Sequence, residues 1–239
     1  MQPFFEELDY CPTPIGPVSL RHRLELTLKR EVYEIKLGDE FLMSSLFTAS
    51  EEALARLGVA ALTGAGLDVV VGGLGLGYTA RAVLEHDTVG SLVVVEMLVP
   101  VIEWHRKGLL PLGAGLVGDP RCRFVEGDFF EMAASTHGFD PQISSRRFDA
   151  ILLDIDHSPE ALLDDRSSSF YQADGLRAMA AHLKPGGIFG LWSNDPPDPV
   201  FTDRLASLFA EAWSEPVTFD NPLQGRPFTQ SVYLARRQR

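Results

Sequence analysis

The chain has 239 residues, 45% of them apolar, and its 33 acidic and 21 basic side chains give a formal charge of −12. This composition is that of a folded globular chain, and it excludes a disordered or collagen-like one. The acidic balance argues against nucleic acid or an anionic membrane as partner, because both bind basic surfaces. The length predicts one α/β domain of roughly 200 residues with a small addition.

Neither a signal peptide nor a membrane span is visible in the sequence. The start, MQPFFEELD, is acidic and has no long apolar run. The most apolar stretch, residues 92–102, is interrupted by Glu96 and Pro100 and is too short to cross a bilayer. The two cysteines, Cys11 and Cys122, lie far apart, which fits a reducing compartment. These features predict a cytoplasmic protein.

The N-terminal quarter differs in pattern from the rest. Residues 1–15 carry three prolines without periodicity, which predicts an irregular arm. Residues 18–44 then alternate with period two, with a Gly38-Asp39 turn between two strand-like runs, so we expect a small antiparallel β-unit. A helix is predicted from Ser50 to about residue 62. We therefore predict two parts, an arm with a β-hairpin unit over residues 1–48 and a Rossmann-like domain over residues 49–239.

The second part alternates between strand-like and helix-like runs. The predicted strands are residues 68–71, 91–96, 123–126, 150–154 and 187–192, and the predicted helices are 78–86, 99–107 and 171–183. Such alternation is typical of a doubly wound α/β fold with a mostly parallel sheet, because parallel strands need crossover helices. Two last runs, residues 216–220 and 229–236, leave no room for a crossover helix, so these C-terminal strands should pair antiparallel.

A glycine-rich turn, Gly73-Leu-Gly-Leu-Gly77, links the first of these strands to a helix. Glycines let a backbone turn sharply and approach a ligand at the start of a helix. A tight turn without a ligand is the alternative. The absence of a Gly-Lys-Ser/Thr sequence excludes ordinary P-loop phosphate chemistry.

Acids follow the next three predicted strands. Glu96 ends the second strand, 23 residues after Gly73, where an acid binds ribose hydroxyls in doubly wound nucleotide sites. Asp128 follows the third and Asp154 ends the fourth. Because ligands of open α/β sheets bind at the carboxyl ends of the strands, four such features together predict a nucleoside site. A nicotinamide dinucleotide remains possible from these residues alone.

The motifs, taken in order, resemble those of spermidine synthases, aminopropyltransferases built on the class I S-adenosylmethionine (SAM) methyltransferase fold. They are the glycine-rich turn, Val95-Glu96, Glu126-Gly127-Asp128, residues 148–154, Phe170-Tyr171 and residues 183–188. The resemblance implies that Gly73, Gly75, Gly77 and the Gly127-Asp128 pair bind decarboxylated SAM, with Glu96 on its ribose and Asp128 on its adenine amine. It also implies that Asp154 accepts the proton of the attacking amine, and that the protein is a homodimer.

The amine half of the site departs from the family pattern. The acid that the family carries in its glycine loop is replaced by Gly75 or Leu76, and the second acid of the catalytic loop falls on His157, with Asp156 one place early. Residues 151–165 still hold five acids and no lysine or arginine, a rim that would attract a polycation. We predict Asp156, His157 and Tyr171 as residues that contact a cationic amine.

Three functions follow from these residues. The first is aminopropyl transfer from decarboxylated SAM, or from SAM, to an amine such as putrescine, without a metal. The second is methyl transfer from SAM, with Mg²⁺ held by oxygen ligands among Asp154, Asp156, His157, Asn194 and Asp195. The third is a homologue that binds the nucleoside without catalysis. In each the expected ligand is a small nucleoside rather than nucleic acid or a membrane.

Overall fold

The structure, a computed structural model, describes residues 4–239 and contains two sheets. An N-terminal antiparallel sheet comprises β1 (Phe5–Cys11), β2 (Val18–Glu25), β3 (Arg30–Leu37) and β4 (Glu40–Ser44) in that order. The remaining elements, in chain order, are α1 (Ala49–Ala60), β5 (Leu67–Gly72), α2 (Tyr78–Leu84), β6 (Val89–Glu96), α3 (Val99–Arg106), α4 (Gly113–Gly118), β7 (Cys122–Glu126), α5 (Phe129–Ala134), β8 (Phe148–Leu153), a 3₁₀ helix (Asp165–Tyr171), α6 (Ala173–Ala180), β9 (Leu183–Ser193), α7 (Pro199–Ala206), β10 (Glu211–Asn221) and β11 (Arg226–Arg236).

The N-terminal sheet contains the predicted hairpin and one strand that the sequence pattern missed. The turn at Gly38-Asp39 joins β3 to β4 as expected. The irregular arm expected over residues 1–15 is wrong for β1, which pairs antiparallel with β2; residues 1–3 lie outside the described part. Glu7 of β1 lies 3.5 Å from Arg21 of β2. A strand whose outer face carries charges lacks the apolar alternation on which the prediction rests.

The second sheet has the order β10-β11-β9-β8-β5-β6-β7, in which β5 to β9 run parallel and the last two strands are antiparallel. The doubly wound sheet with antiparallel C-terminal strands is therefore confirmed. Strand β5 lies between β6 and β8, so the order of winding reverses beside β5. In open α/β sheets a ligand crevice forms at such a reversal, outside the carboxyl ends of the strands.

The helix expected over residues 171–183 is shorter and begins later. A 3₁₀ helix ends at Tyr171, α6 occupies Ala173–Ala180, and Lys184 already belongs to β9. Lys184 Nζ lies 2.8 Å from a carboxylate oxygen of Asp68 and equally far from one of Asp149. These ion pairs connect the start of β9 to β8 and β5, a long-range contact that helical periodicity cannot reveal.

The two sheets share one hydrophobic cluster. Val18 and Ile35 of the N-terminal sheet belong to the same buried cluster as Leu74 and Leu98, which follow β5 and β6. The division between residues 48 and 49 stays a prediction, since this cluster spans it. Among the helices of residues 4–239, none has the length and apolar content needed to cross a bilayer.

Candidate active site

A cavity of about 390 Å³ lies at the carboxyl ends of β5, β6, β7 and β8, where the fold predicts a ligand crevice. One side of it is formed by the N-terminal sheet, which contributes apolar side chains to the lining: Ile35, Leu37, Leu42 and Met43. Trp192, near the end of β9, also lines the cavity. The cavity is large enough for a small ligand and combines an apolar wall with polar strand ends.

The glycine-rich turn lines the cavity at the end of β5. Gly73 has φ of 94°, and a Cβ atom built on it would overlap the carbonyl oxygen of Asp154. The Gly73 N–H donates to Val95 O at 2.9 Å. The turn therefore packs directly on the end of β8, an approach that a larger residue does not permit. Gly75 also lines the cavity, whereas Gly77, the N-cap of α2, does not.

Glu96 ends β6 and holds this turn. Its Oε2 accepts the Leu74 N–H at 2.9 Å and its Oε1 accepts the Leu98 N–H at 2.8 Å. Burial raises the pKa of the Glu96 carboxyl, while these backbone hydrogen bonds oppose the rise. The carboxylate lines the cavity with both oxygens fixed in direction. Its lone pairs can accept hydrogen bonds from ligand hydroxyls, as the sequence predicts.

Asp128 follows β7 and is the N-cap of α5. Its Oδ1 accepts the Phe130 N–H at 2.8 Å and the Glu131 N–H at 3.3 Å. Among residues 4–239 no donor is found for Oδ2, and the residue lines the cavity together with Gly127. Helix capping thus orients one oxygen and leaves the other to accept from a ligand amine.

Asp154 directly follows β8, and two groups near it define its chemistry. Thr79 Oγ1 donates to Asp154 Oδ2 at 2.5 Å. Glu51, in the first turn of α1, is 7% exposed and lines the same cavity. Burial raises the pKa of Asp154 to about 6, and burial together with the nearby Asp154 carboxylate raises the pKa of Glu51 to about 8. At neutral pH the pair therefore carries mainly one negative charge, held by Asp154.

Asp156 and Tyr171, both predicted to contact an amine, are bonded to each other. Tyr171 Oη donates to Asp156 Oδ2 at 2.6 Å, and the Leu163 N–H donates to Asp156 Oδ1 at 2.8 Å. Tyr171 is 1% exposed and does not line the cavity, whereas Asp156 does. The Asp156 carboxylate thus shapes the loop of residues 156–167, and burial raises its pKa.

His157 connects that loop to the N-terminal sheet. Its Nε2 lies 3.1 Å from Glu40 Oε1 of β4. The side chain does not line the cavity. Of the ten residues predicted for the site, seven therefore line one cavity and three, Gly77, His157 and Tyr171, lie outside its lining.

Sequence reasoning missed Glu51 and the apolar wall of the N-terminal sheet. In the sequence Glu51 is an acid in the first turn of a helix, where a negative charge interacts favourably with the helix dipole in many proteins. Nothing in its spacing shows that the packing of α1 on α2 brings it beside Asp154.

The charge of the lining is strongly negative. Seven acids and one base, Arg166, line the cavity; the acids are Glu51, Glu96, Asp128, Glu131, Asp154, Asp156 and Asp164. Arg166 is exposed and is paired with Asp164 at 2.6 Å. No group of three His, Cys, Asp or Glu side chains with metal-binding geometry occurs among the described residues. The arrangement favours a ligand that carries positive charge.

Comparison with known proteins identifies the family. The family model for the spermine/spermidine synthase domain matches residues 48–198. The chain belongs to this family. The match includes the glycine-rich turn and all three strand-end acids of the predicted nucleoside site, so the resemblance seen in the motifs is confirmed.

Sequence relatives agree with this assignment. Polyamine aminopropyltransferase 2 of Pseudomonas aeruginosa is 27% identical over 156 residues, which are 62% of this chain and 41% of the relative. The polyamine aminopropyltransferase of Nitrosomonas europaea is 32% identical over 143 residues, 59% of this chain and 39% of the relative. The chain thus matches less than half the length of these curated relatives.

Solved structures share the fold. The spermidine synthase of Thermotoga maritima superposes with a TM-score of 0.72 at 19% identity, covering 96% of this chain and 72% of that one. A spermidine synthase in complex with the transition-state analogue AdoDATO gives a TM-score of 0.73 at 20% identity, covering 96% and 73%. The predicted fold class, including the small N-terminal β-unit, is confirmed.

Proposed function

We propose that the protein transfers an aminopropyl group from decarboxylated SAM to an amine and releases methylthioadenosine. The observation that carries this proposal is the position of Asp154, a carboxylate at the carboxyl end of β8 that packs against the glycine-rich turn and faces a cavity lined by seven acids and one base. Decarboxylated SAM brings a sulfonium and an ammonium into that lining. Family membership supports the same class of reaction.

The nucleoside half of the cavity supports this donor. The Glu96 carboxylate, fixed by two backbone N–H groups, can accept hydrogen bonds from both ribose hydroxyls. The free oxygen of Asp128 can accept from the adenine amine. Apolar side chains near them, among which Met97 and Phe130 line the cavity, supply surface for the faces of the adenine ring.

The reaction is a displacement at carbon. The lone pair of the acceptor amine forms a bond to the propyl carbon next to sulfur, the carbon–sulfur bond breaks, and its electron pair stays on sulfur to give the neutral thioether. The amine must lose a proton, and Asp154 accepts it. With its pKa raised to about 6 by burial, Asp154 is ionised at neutral pH and close to the optimum for a general base.

The acceptor side of the cavity supports an amine with a hydrocarbon segment. Ile35, Leu37 and Leu42 of the N-terminal sheet form an apolar part of the cavity lining. Hydrocarbon packed there is removed from water at about 25 cal/mol per Å². A primary amine on a short alkyl chain, such as putrescine, can pack its hydrocarbon against these apolar side chains and place its ammonium beside the carboxylates.

The test is turnover with defined donors and acceptors. Purified protein is incubated with decarboxylated SAM and a panel of alkyl diamines, and methylthioadenosine is quantified with and without EDTA. We expect release that depends on the amine and is unaffected by EDTA. Asp154→Asn should lower kcat by about 10²- to 10⁴-fold while methylthioadenosine still binds. The control is Glu160→Gln in the same loop, an exposed acid outside the cavity lining.

Two results would replace this function. Methylated products from SAM, lost on addition of EDTA, would establish the methyltransferase instead. Binding of methylthioadenosine, seen as a rise of roughly 5–10 °C in the melting midpoint at 100 times the dissociation constant, with no turnover of any donor would establish a non-catalytic binding protein.

We also propose that the protein works as a homodimer in the cytoplasm. The described part of the N-terminal sheet exposes large apolar side chains, namely Phe5, Tyr10 and Phe41, each at least 49% exposed. Exposed aromatic side chains of this kind are enriched at protein interfaces. Cys11 and Cys122 are free thiols, which fits a reducing compartment. Light scattering of Phe5→Glu and of the unmodified chain tests the dimer, since the charge should give monomers; localisation of a fluorescent fusion tests the compartment.

A further inference from the structure

Glu51 and Asp154 are two carboxyl groups in one partly enclosed site without a basic partner. Glu51 is 7% exposed, and the charges that act on it are those of Asp154 and Glu52, both negative. Asp154 is stabilised by the Thr79 hydroxyl and by no cation. Burying a carboxylate without a partner is strongly unfavourable, so a protein that places two of them on a cavity wall is built for a cation from outside.

The hydrogen bonds around Glu51 indicate that its carboxyl group is protonated in the free protein. Ser50 Oγ lies 2.7 Å from Glu51 Oε2 and 2.6 Å from the amide oxygen of Gln230, and it accepts the Trp192 Nε1–H at 2.8 Å. A hydroxyl has one hydrogen and can donate to one of the two acceptors. Because the Gln230 amide nitrogen donates to Asn194, its oxygen is the acceptor that needs the Ser50 hydrogen. Glu51 then completes the network by donating a proton of its own.

The position of Glu51 is next to the glycine-rich turn rather than across the cavity from it. Thr79, in α2 immediately after the turn, lies between the two residues: its Oγ1 is 2.5 Å from the Asp154 carboxylate oxygen Oδ2 and 3.3 Å from the backbone carbonyl oxygen of Glu51. Glu51, Gly73 and Gly75 line the same cavity. A nucleoside seated on the turn and on Glu96 would therefore direct the side arm on its sulfur towards Glu51 and Asp154.

We propose that Glu51 binds the terminal ammonium of the aminopropyl arm of decarboxylated SAM and selects this donor over SAM. The inference rests on the proposed function and names a residue for its donor specificity. SAM carries a carboxylate on the same carbon as its ammonium, so binding it in this position brings a negative charge against Glu51 and Asp154. Arg166, the one basic side chain that lines the described cavity, is already paired with Asp164 at the exposed rim.

Equilibrium binding without an acceptor amine tests the proposal. The probes are decarboxylated SAM, SAM and methylthioadenosine, which lacks the ammonium, measured by calorimetry on the full chain. Glu51→Gln should weaken decarboxylated SAM about 10- to 100-fold, the range expected for a lost charged hydrogen bond, and leave methylthioadenosine within about 3-fold. The ratio of the SAM and decarboxylated SAM dissociation constants should fall by about 10-fold or more.

Two further variants separate specificity from structure. Glu52→Gln removes the neighbouring charge of the same helical turn, which is 29% exposed and paired with Arg56, and should change none of the three affinities. Glu51→Asp keeps the charge on a shorter arm and should restore part of the preference for the decarboxylated donor. A merely structural role of Glu51 would instead shift the affinity for methylthioadenosine along with the other two.

Contrary results are distinguishable. If Glu51→Gln binds all three probes like the unmodified chain, or if it raises only the KM of the acceptor amine, the inference fails and aminopropyl transfer stands. If the unmodified chain binds no nucleoside, both the proposed function and the inference about Glu51 fail.

Discussion

Gly73→Ala tests whether the glycine-rich turn packs directly against the end of β8, as the structure shows. Two effects oppose an alanine there. The backbone has φ of 94°, a conformation that costs an L-residue about 1–2 kcal/mol. The added Cβ would also overlap the carbonyl oxygen of Asp154. Relieving such an overlap by shifting backbone costs about 1–3 kcal/mol.

Together these effects should lower the free energy of unfolding by about 2–5 kcal/mol, which in a chain of this size lowers the melting midpoint by roughly 6–15 °C. Because Asp154 must move with the turn, we also expect the stabilisation by methylthioadenosine to disappear at concentrations that stabilise the unmodified chain. The assay is thermal melting with and without this nucleoside.

Gly64→Ala is the matched control. Gly64 has φ of 102°, close to that of Gly73, but a Cβ atom there meets nothing within 4 Å. It should therefore show the backbone strain alone, a loss of about 1–2 kcal/mol, with nucleoside binding unchanged. If Gly73→Ala melts within about 2 °C of Gly64→Ala and still binds methylthioadenosine, the close packing of the turn on Asp154 is refuted.

Two further predictions concern charge. Arg146→Ala should destabilise the fold by about 1–3 kcal/mol in denaturant titrations, because it removes one of the two arginines paired with Asp140, whose side chain is fully buried, and leaves Arg123 as the remaining partner at 2.8 Å. Arg177→Ala, which breaks an exposed pair, should change stability by less than about 0.5 kcal/mol, and equal effects would contradict the reasoning. Glu51→Gln should flatten the pH dependence of the ligand-free melting midpoint: folded Glu51 keeps its proton up to a pKa of about 8, whereas the unfolded group has its ordinary value of 4.5, so stability falls as pH rises through this window. A variant whose midpoint falls between pH 5 and pH 8 as much as that of the unmodified chain would refute this.

The parallel sheet was predictable because its strands are buried on both faces. Val69, Val70 and Val71 of β5 are fully buried, and the predicted limits of this strand differ from the observed ones by one residue at each end. Strand β1 was not predictable, since its order comes from pairing with β2 rather than from an apolar face. Apolar periodicity in the sequence identifies the residues that face the core. It does not identify an edge strand that is held in place by backbone hydrogen bonds and charged side chains.

The strand-end residues of the site were predictable for a topological reason. Parallel strands deliver their carboxyl ends to one edge of the sheet, so Glu96, Asp128 and Asp154 meet at one cavity without further information. Tyr171 followed the family pattern in sequence, yet it donates to Asp156 and is buried under the loop. Which of two neighbouring polar groups faces a ligand depends on rotamers and loop packing, and these are not encoded in spacing.

The altered glycine turn and the acid in α1 belong to one arrangement. The family resemblance places an acid in the turn where this chain has Gly75 or Leu76, and a Cβ atom on Gly75 would lie 2.8 Å from the Met43 sulfur. The same sulfur accepts the Leu76 N–H at 3.2 Å. Met43 of the N-terminal sheet therefore contacts the turn and occupies the space that an acidic side chain at position 75 would need. A carboxylate for the donor's ammonium must then come from another element, and Glu51 of α1 lines the same cavity. On this reasoning Gly75→Asp alone should impair the site, because the new side chain displaces Met43 and adds a further negative charge beside Glu51 and Asp154, a pair that carries mainly one negative charge at neutral pH.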